Sequence, residues 1–110
     1  MPTIITKRHD TDIVFTDTPS IDGVTVPPAS LTGATLRFLL KADDPTVKPP
    51  IVHVATINPD GTFSYSPVAG DVDTATKYRQ EWEVTFPNSK ILTFPNNGYN
   101  VVKIIEDLGP

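Results

Sequence analysis

Residues 77–86 alternate between two kinds of side chain over ten consecutive positions, and this pattern constrains the fold most strongly. One set is large and mostly apolar: Tyr78, Gln80, Trp82, Val84 and Phe86. The other set is charged or polar: Lys77, Arg79, Glu81, Glu83 and Thr85. Successive side chains of a β-strand point to opposite faces, so the pattern predicts a strand with one buried face. We expect the apolar positions of the first set to form the core together with Leu36, Phe38 and Leu40.

Short runs of β-strand character recur between turn signals, at residues 12–16, 34–41, 51–57, 62–66, 91–94 and 99–106. The third and fourth runs are joined by Asn58-Pro59-Asp60-Gly61, in which proline presets φ and Asp-Gly tolerates positive φ, so they predict a hairpin. Residues 68–76 predict a crossover with one helical turn. Together with residues 77–86, about seven short strands at this spacing predict an all-β, antiparallel β-sandwich.

The domain organisation follows from length and proline content. A chain of 110 residues forms one domain, and its 12 prolines favour turns and edges over long helices. We expect residues 1–11 to be an extended N-terminal arm and residues 12–108 to be the sandwich. The proline-rich segments 18–28 and 42–50 predict surface loops. Because the arm and loops have too few apolar residues to fold alone, we expect a partner to order them.

Charge and composition exclude several classes of function. The net charge is −4, and only Lys7 and Arg8 are adjacent basic residues, so the chain lacks the basic stripe that tracks phosphates. It contains no cysteine, hence no disulfide, thiolate nucleophile or cysteine metal site. The first ten residues lack the apolar stretch of a signal peptide, and no apolar run approaches the ~20 residues of a membrane span. We therefore expect synthesis in a cytoplasm and neither a nucleic-acid nor a membrane partner.

The histidines and hydroxyls do not predict a catalytic site. His9 and His53 are far apart in the sequence, whereas a histidine metal site needs several imidazoles close together. The predicted hairpin brings together the strands that carry Ser64, His53 and Asp60, which are the residue types of a Ser–His–Asp catalytic set. Nothing supplies a nucleophile elbow or a glycine-rich oxyanion loop. We expect structural or solvated roles for these residues.

Two pairs of aspartates offer oxygen ligands of the kind that calcium prefers, Asp71 with Asp73 and Asp43 with Asp44. Neither pair is followed by the further ligands of an EF-hand loop. The favoured interpretation is turn chemistry, in which the carboxylates accept hydrogen bonds from nearby backbone amides. We predict no catalytic, cofactor-binding or metal-binding residue, and no cofactor.

Aromatic residues raise the question of carbohydrate stacking. Trp82 and Tyr78 lie on the apolar face of residues 77–86, which favours core packing. Tyr65 and Tyr99 lie near turns, where an aromatic ring is available to a partner. We expect the face that carries Glu81, Glu83 and Arg79 to be a solvated strand face or a polar contact surface. Glycoside hydrolysis needs a second, matching carboxylate, and no second strand offers one.

Residues 73–78 resemble the approach to the tyrosine corner of immunoglobulin-type sandwiches, although the cysteine that follows such a corner is missing. A more specific resemblance covers roughly residues 31–108. Its motifs are LTGATLRF at 31–38, Gly61 opening a strand, Gly70-Asp71, YRQEWEVTF at 78–86 and TFPNNGY at 93–99. In these motifs the chain resembles the N-terminal domain of phage baseplate upper proteins and related short tail and virion proteins.

This resemblance implies an immunoglobulin-like sandwich that docks onto a virion component in many copies, without enzymatic activity. The baseplate proteins continue into a fibre-forming stalk, whereas this chain stops at Pro110, so we expect a decoration, cement or adaptor protein. Its partners would be other virion structural proteins of the capsid, neck, tail or baseplate, its location the virion, and its oligomers confined to the assembly. Docking would use the loops, the arm or a sheet edge. The alternative is a non-viral carbohydrate- or protein-binding β-sandwich module.

Overall fold

The computed structural model describes residues 3–95 and 98–106, and about half of them lie in β-strands. The ten strands are β1 (Thr3–Lys7), β2 (Phe15–Asp17), β3 (Ser20–Ile21), β4 (Val24–Thr25), β5 (Thr35–Ala42), β6 (Ile51–Ile57), β7 (Phe63–Tyr65), β8 (Thr76–Thr85), β9 (Ile91–Phe94) and β10 (Asn100–Ile105). Two short 3-10 turns, Pro28–Leu31 and Ala69–Asp71, interrupt the connections. The described residues form no α-helix and no helix long and apolar enough to cross a membrane. The prediction of an all-β fold is therefore confirmed.

Eight strands form one curled, mixed sheet in the order β1-β10-β8-β5-β6-β7-β2, with β9 also paired to β8. The long strand β8 organises it. Along one side β8 pairs with β5 over its length, and along the other it pairs first with β10 and then with β9. Strands β3 and β4 form a separate hairpin. Since β1 runs parallel to β10, the sheet is mixed, which corrects the prediction of a purely antiparallel arrangement.

The sheet folds over at β6. Residues 51–55 of this strand pair with β5, whereas Thr56 and Ile57 pair with β7. The half made by β6, β7 and β2 consequently lies over the half centred on β5 and β8, which gives a sandwich-like shape. At the far end Asn100 Nδ2 on β10 donates a 3.0 Å hydrogen bond to Asp17 Oδ2 on β2.

Aromatic rings fill the space between the halves. Phe38 on β5 stacks on Tyr65 of β7, with ring centroids 4.4 Å apart, and lies 5.0 Å from Phe15 of β2. Phe63 on β7 contacts Trp82 and Phe94 at 5.7 and 5.8 Å. Such pairs add about 0.5–1.5 kcal/mol each to the stabilisation that comes from area burial. The rings therefore hold the folded-over half in place.

The core contains nearly all the residues that the alternation predicted. Tyr78, Trp82, Val84, Leu36, Phe38 and Leu40 are all buried. Phe86 is only half-buried, because it follows the end of β8 and packs at the margin of the core. The Tyr78 hydroxyl donates a 2.8 Å hydrogen bond to the Thr74 carbonyl, which ties the crossover to the start of β8.

The N-terminal arm is the clearest correction. We expected residues 1–11 to lie outside the sheet, but Thr3–Lys7 is strand β1, paired in register with β10. On the inner face Thr6 is buried and Ile4 half-buried, opposite Ile104 and Val102 of β10. The arm prediction is therefore wrong for residues 3–7, and Met1 and Pro2 lie outside the described residues.

Candidate interaction surfaces

The segment 18–28, predicted as a loop, contains the β3–β4 hairpin. Its turn is Asp22-Gly23, and both residues have positive φ, 52° and 80°. Positive φ at both central positions is the requirement of a type I′ turn, which Asp-Gly meets. The base of the hairpin is held by the Val26 N–H, which donates a 2.9 Å hydrogen bond to the Pro19 carbonyl. The Asp-Gly pair was a signal of this hairpin that the loop prediction did not use.

An apolar groove of about 280 Å³ lies between this hairpin and the ends of β8 and β9. We call it the hairpin groove; it is lined by Ile21, Val24, Thr25, Val26, Pro27, Ser30, Phe86 and Leu92. Val24 is 70% exposed and Ile21 40% exposed, although both are β-branched and apolar. Ile21 and Val24 pair across the hairpin, so their exposed apolar surfaces adjoin and make the groove a candidate protein contact site.

A second groove, of about 300 Å³, crosses the outer face of the curled sheet. Its floor includes the cross-strand row of Val52, Leu39 and Glu81, and Tyr99, which immediately precedes β10, also lines it. Tyr99 is 37% exposed, and the Arg79 guanidinium lies 5.4 Å from its ring centroid. Of the two tyrosines that the sequence places near turns, Tyr99 is the one that is exposed. We call this the Tyr99 groove.

Two groups of ion pairs lie on or beside this outer face, which also carries the exposed side chain of Val54. The Arg37 guanidinium contacts the Glu83 carboxylate on the neighbouring strand. Asp43 lies 3.4 Å from Arg79 and 3.6 Å from Lys77. Except for Glu83, which is 19% exposed, these side chains are about half exposed, and exposed pairs contribute little to stability. The face that carries Arg79, Glu81 and Glu83 is therefore a polar, charge-paired surface.

The Ser–His–Asp set does not assemble. Ser64 and the Asn58 side chain exchange hydrogen bonds, and the Asp60 carboxylate accepts from the Thr62 amide and hydroxyl. His53 Nε2 instead lies 3.1 Å from Asp71 Oδ1, and its ring stacks on Tyr65 with centroids 5.8 Å apart. No sequence motif reveals this network, because its members come from three separate elements.

Asp71 is the centre of the network. Its side chain is only 3% exposed, and its other oxygen accepts hydrogen bonds from the Tyr65 hydroxyl and, at 3.0 Å, the Val68 amide. Burial, followed by the neighbouring Asp71 carboxylate, raises the pKa of Tyr65 far above its usual value. Tyr65 is 8% exposed, so the expectation that it is open to a partner is wrong. Because the sheet curls at β6, the ring of Tyr65 packs on Phe38.

The turn interpretation is confirmed for Asp44, whereas Asp43 and Asp73 pair with basic side chains instead. Asp44 accepts hydrogen bonds from the Thr46 amide and hydroxyl, and these bonds lower the pKa of its carboxyl. The pKa of Asp73 is lowered chiefly by the hydrogen bond from Lys48, which also donates to the Gly70 carbonyl. Within the described parts of the chain, no three histidine, aspartate or glutamate side chains gather in a way that could hold a metal ion.

Strand β1 offers a sheet edge, one of the docking surfaces predicted from the sequence. It pairs with β10 and with no other strand among the described residues. Ile5 on its outer face is 63% exposed.

No family model, no curated protein and no solved structure matches this chain.

Proposed function

We propose that this chain is a non-enzymatic structural protein of a phage virion, a decoration, cement or adaptor protein that docks onto another virion component through the hairpin groove. The observation that carries the proposal is the exposure of Ile21 and Val24 beside the apolar lining of that groove. The resemblance of residues 31–108 to the phage baseplate domain supplies the virion context.

The energetics favour an apolar contact there. Full burial of one Val or Ile side chain is worth about 1.5–3 kcal/mol, and a partner that covers the groove would bury Val24 with its neighbours. The type I′ turn fixes the geometry of the hairpin before binding, which lowers the entropic cost of association. A contact of this kind, repeated over many copies, suits a protein that acts by shape.

The immunoglobulin-like character of the fold is part of the proposal. The Tyr78–Thr74 hydrogen bond supports it, because the tyrosine of an immunoglobulin corner bonds to backbone a few residues upstream. In this chain Gln80 stands where the cysteine of such a corner would follow, and Gln80 is likewise buried.

The test is reconstitution on particles that lack the protein. Val24→Lys places a charge in the hairpin groove at a position 70% exposed in the free protein, so the domain should stay folded. Affinity for particles should fall by about 10- to 100-fold, which is the loss of roughly 1.5–3 kcal/mol. The matched control is Val47→Lys, 45% exposed in segment 42–50. Equal weakening by both variants would remove the groove from the interface, and absence of the protein from purified particles by mass spectrometry would end the virion proposal.

A second candidate is a non-viral carbohydrate- or protein-binding module, and the exposed Tyr99 ring beside Arg79 and Glu81 favours it. Sugars stack on aromatic rings, and charged side chains hydrogen-bond their hydroxyls. Titration with simple hexoses, followed by NMR, should then perturb Tyr99 and Arg79. Tyr99→Ala should abolish the perturbation and Tyr99→Phe should retain it. Unchanged NMR signals of Tyr99 and Arg79 during the titration would count against sugar binding.

A further inference from the structure

The outer edge of β1 has a definite set of backbone groups. The Arg8 N–H donates a 2.7 Å hydrogen bond to the Ile105 carbonyl of β10. Backbone groups of a strand alternate in direction, so those of Ile4 and Thr6 also point toward β10. The N–H and C=O groups of Thr3, Ile5 and Lys7 therefore point the other way, along the edge.

The edge has a definite end. The His9 N–H donates to the Val72 carbonyl at 2.7 Å, and the Asp10 N–H donates to the Lys7 carbonyl at 3.2 Å. The open stretch is thus residues 3–7. With five residues, β1 is also the longest described strand that pairs on one side only; β9 has four and β2 has three.

Side chains along this edge leave apolar surface exposed. Ile5 is 63% exposed on the outer face, and Ile105, which pairs with Lys7, is 44% exposed. An exposed strand edge with an exposed isoleucine side chain at its centre can serve as a template for pairing with another strand.

We propose that the strand that adds to this edge is β1 of a second copy, antiparallel to the first about a two-fold axis at Ile5. Odd-numbered residues then face odd-numbered residues: Ile5 pairs with its own equivalent, and Thr3 with Lys7. All three pairs are of the hydrogen-bonded type. The central Ile5 pair exchanges both N–H···O bonds, and in the two outer pairs the Lys7 carbonyl, which already accepts from the Asp10 N–H, uses its second lone pair. The two isoleucines meet at the axis, and Lys7 meets a neutral threonine, so no like charges face each other across the strands. The curled sheet becomes continuous across the two copies.

The self-complementary sequence favours a second copy over an unrelated strand. A two-fold contact uses the same surface twice, so that surface must be complementary to itself. In the register centred on Ile5, outward backbone groups face outward backbone groups, isoleucine faces isoleucine, and Lys7 faces an uncharged threonine. The contact is short, well below the ~1,200–2,000 Å² of a stable interface. It is therefore a weak association that is strengthened when copies are held close together on an assembly. This inference is independent of the virion proposal.

A cysteine cross-link tests the axis. The chain has no cysteine, so Ile5→Cys introduces one thiol that would face its equivalent with Cα atoms about 5.5 Å apart, within the range of a disulfide. Mild oxidation, or a short thiol-specific cross-linker, should convert it to a covalent dimer. The matched control is Val54→Cys, which is 80% exposed and hence more accessible than residue 5. Dimer formation no faster for Ile5→Cys than for Val54→Cys would overturn the proposal.

Charge variants test the same axis without covalent trapping. Ile5→Lys sets two ammonium groups against each other, and Ile5→Glu sets two carboxylates, so each variant alone should sediment as a monomer at concentrations where the wild type self-associates. An equimolar mixture should recover the dimer, because lysine then faces glutamate. A change in folding alone would not produce this rescue. A wild type that stays monomeric at millimolar concentration, or a mixture that stays monomeric, would overturn the proposal.

Ile5→Pro isolates the backbone contribution. Proline removes the outward N–H of residue 5 and leaves the β1–β10 hydrogen bonds of even-numbered residues in place, which is where an edge strand tolerates proline. We expect self-association to be lost while the far-ultraviolet circular dichroism is unchanged. Self-association that persists in a folded Ile5→Pro protein would place the contact elsewhere.

Discussion

Replacing Asp71 with alanine should destabilise the domain far more than any other aspartate substitution. The Asp71 carboxylate is 3% exposed and joins three elements, through the Tyr65 hydroxyl, the Val68 amide and His53 Nε2. A hydrogen bond to a charged group is worth about 1.5–3 kcal/mol, and a buried donor left without a partner costs about 1–3 kcal/mol. Val68 and His53 are largely exposed, so water replaces part of what they lose. The bond to Tyr65 has no such substitute.

The expected cost is therefore about 3–5 kcal/mol, within the range for breaking a buried polar pair. A domain of this size has a free energy of unfolding of about 5–15 kcal/mol, so the variant should fold but only marginally. The assay is urea unfolding followed by fluorescence of Trp82, the single tryptophan, which is 1% exposed and so reports loss of the core. With a slope of about 1–3 kcal/mol per molar urea, the midpoint should fall by roughly 2 M.

The matched control is Asp73→Ala, two residues further on. The Asp73 side chain is 43% exposed and pairs with Lys48, so its loss should cost under about 1 kcal/mol. A double-mutant cycle with Tyr65→Phe should give a coupling energy of about 1–2 kcal/mol between Tyr65 and Asp71. Equal midpoints for Asp71→Ala and Asp73→Ala, or a coupling energy of zero, would refute the reasoning.

Two further outcomes are expected from the core. Trp82→Ala should cost about 3–5 kcal/mol and Phe86→Ala clearly less, because Trp82 is buried and Phe86 half-buried at the margin; equal melting temperatures for Trp82→Ala and the wild type would contradict the packing. The raised pKa of Tyr65 should make the domain lose stability as pH rises above about 10, where the unfolded chain releases the phenolic proton and the folded chain retains it. Tyr65→Phe should flatten that loss in alkaline urea titrations, though not abolish it, since burial also raises the pKa of Tyr78; an unchanged slope would count against the assignment.

The sequence by itself determined the features that depend on local backbone geometry. The alternation of residues 77–86 identified β8 and its buried face within one residue at each end, because the two-residue repeat of a strand is a property of neighbouring positions. The Asn58-Pro59-Asp60-Gly61 turn identified the β6–β7 hairpin for the same reason. The turn interpretation of Asp44 also held, since its carboxylate accepts a hydrogen bond from the backbone amide two positions further on.

Only the tertiary structure decided the features that join distant parts of the chain. β1 pairs with β10, almost a hundred residues further on, and five residues of mixed polarity contain no signal that specifies a parallel partner at that distance. The burial of Tyr65 and the His53–Asp71 contact arise because β6 turns the sheet over on itself, which places three elements around one carboxylate. Conversely, Ile21 and Val24 resemble core residues in sequence and lie exposed, because the β3–β4 hairpin is a separate two-stranded sheet beside the ends of β8 and β9. Hydrophobicity specifies that a side chain gains from burial, but the packing of the whole chain decides which of them the core has room to bury.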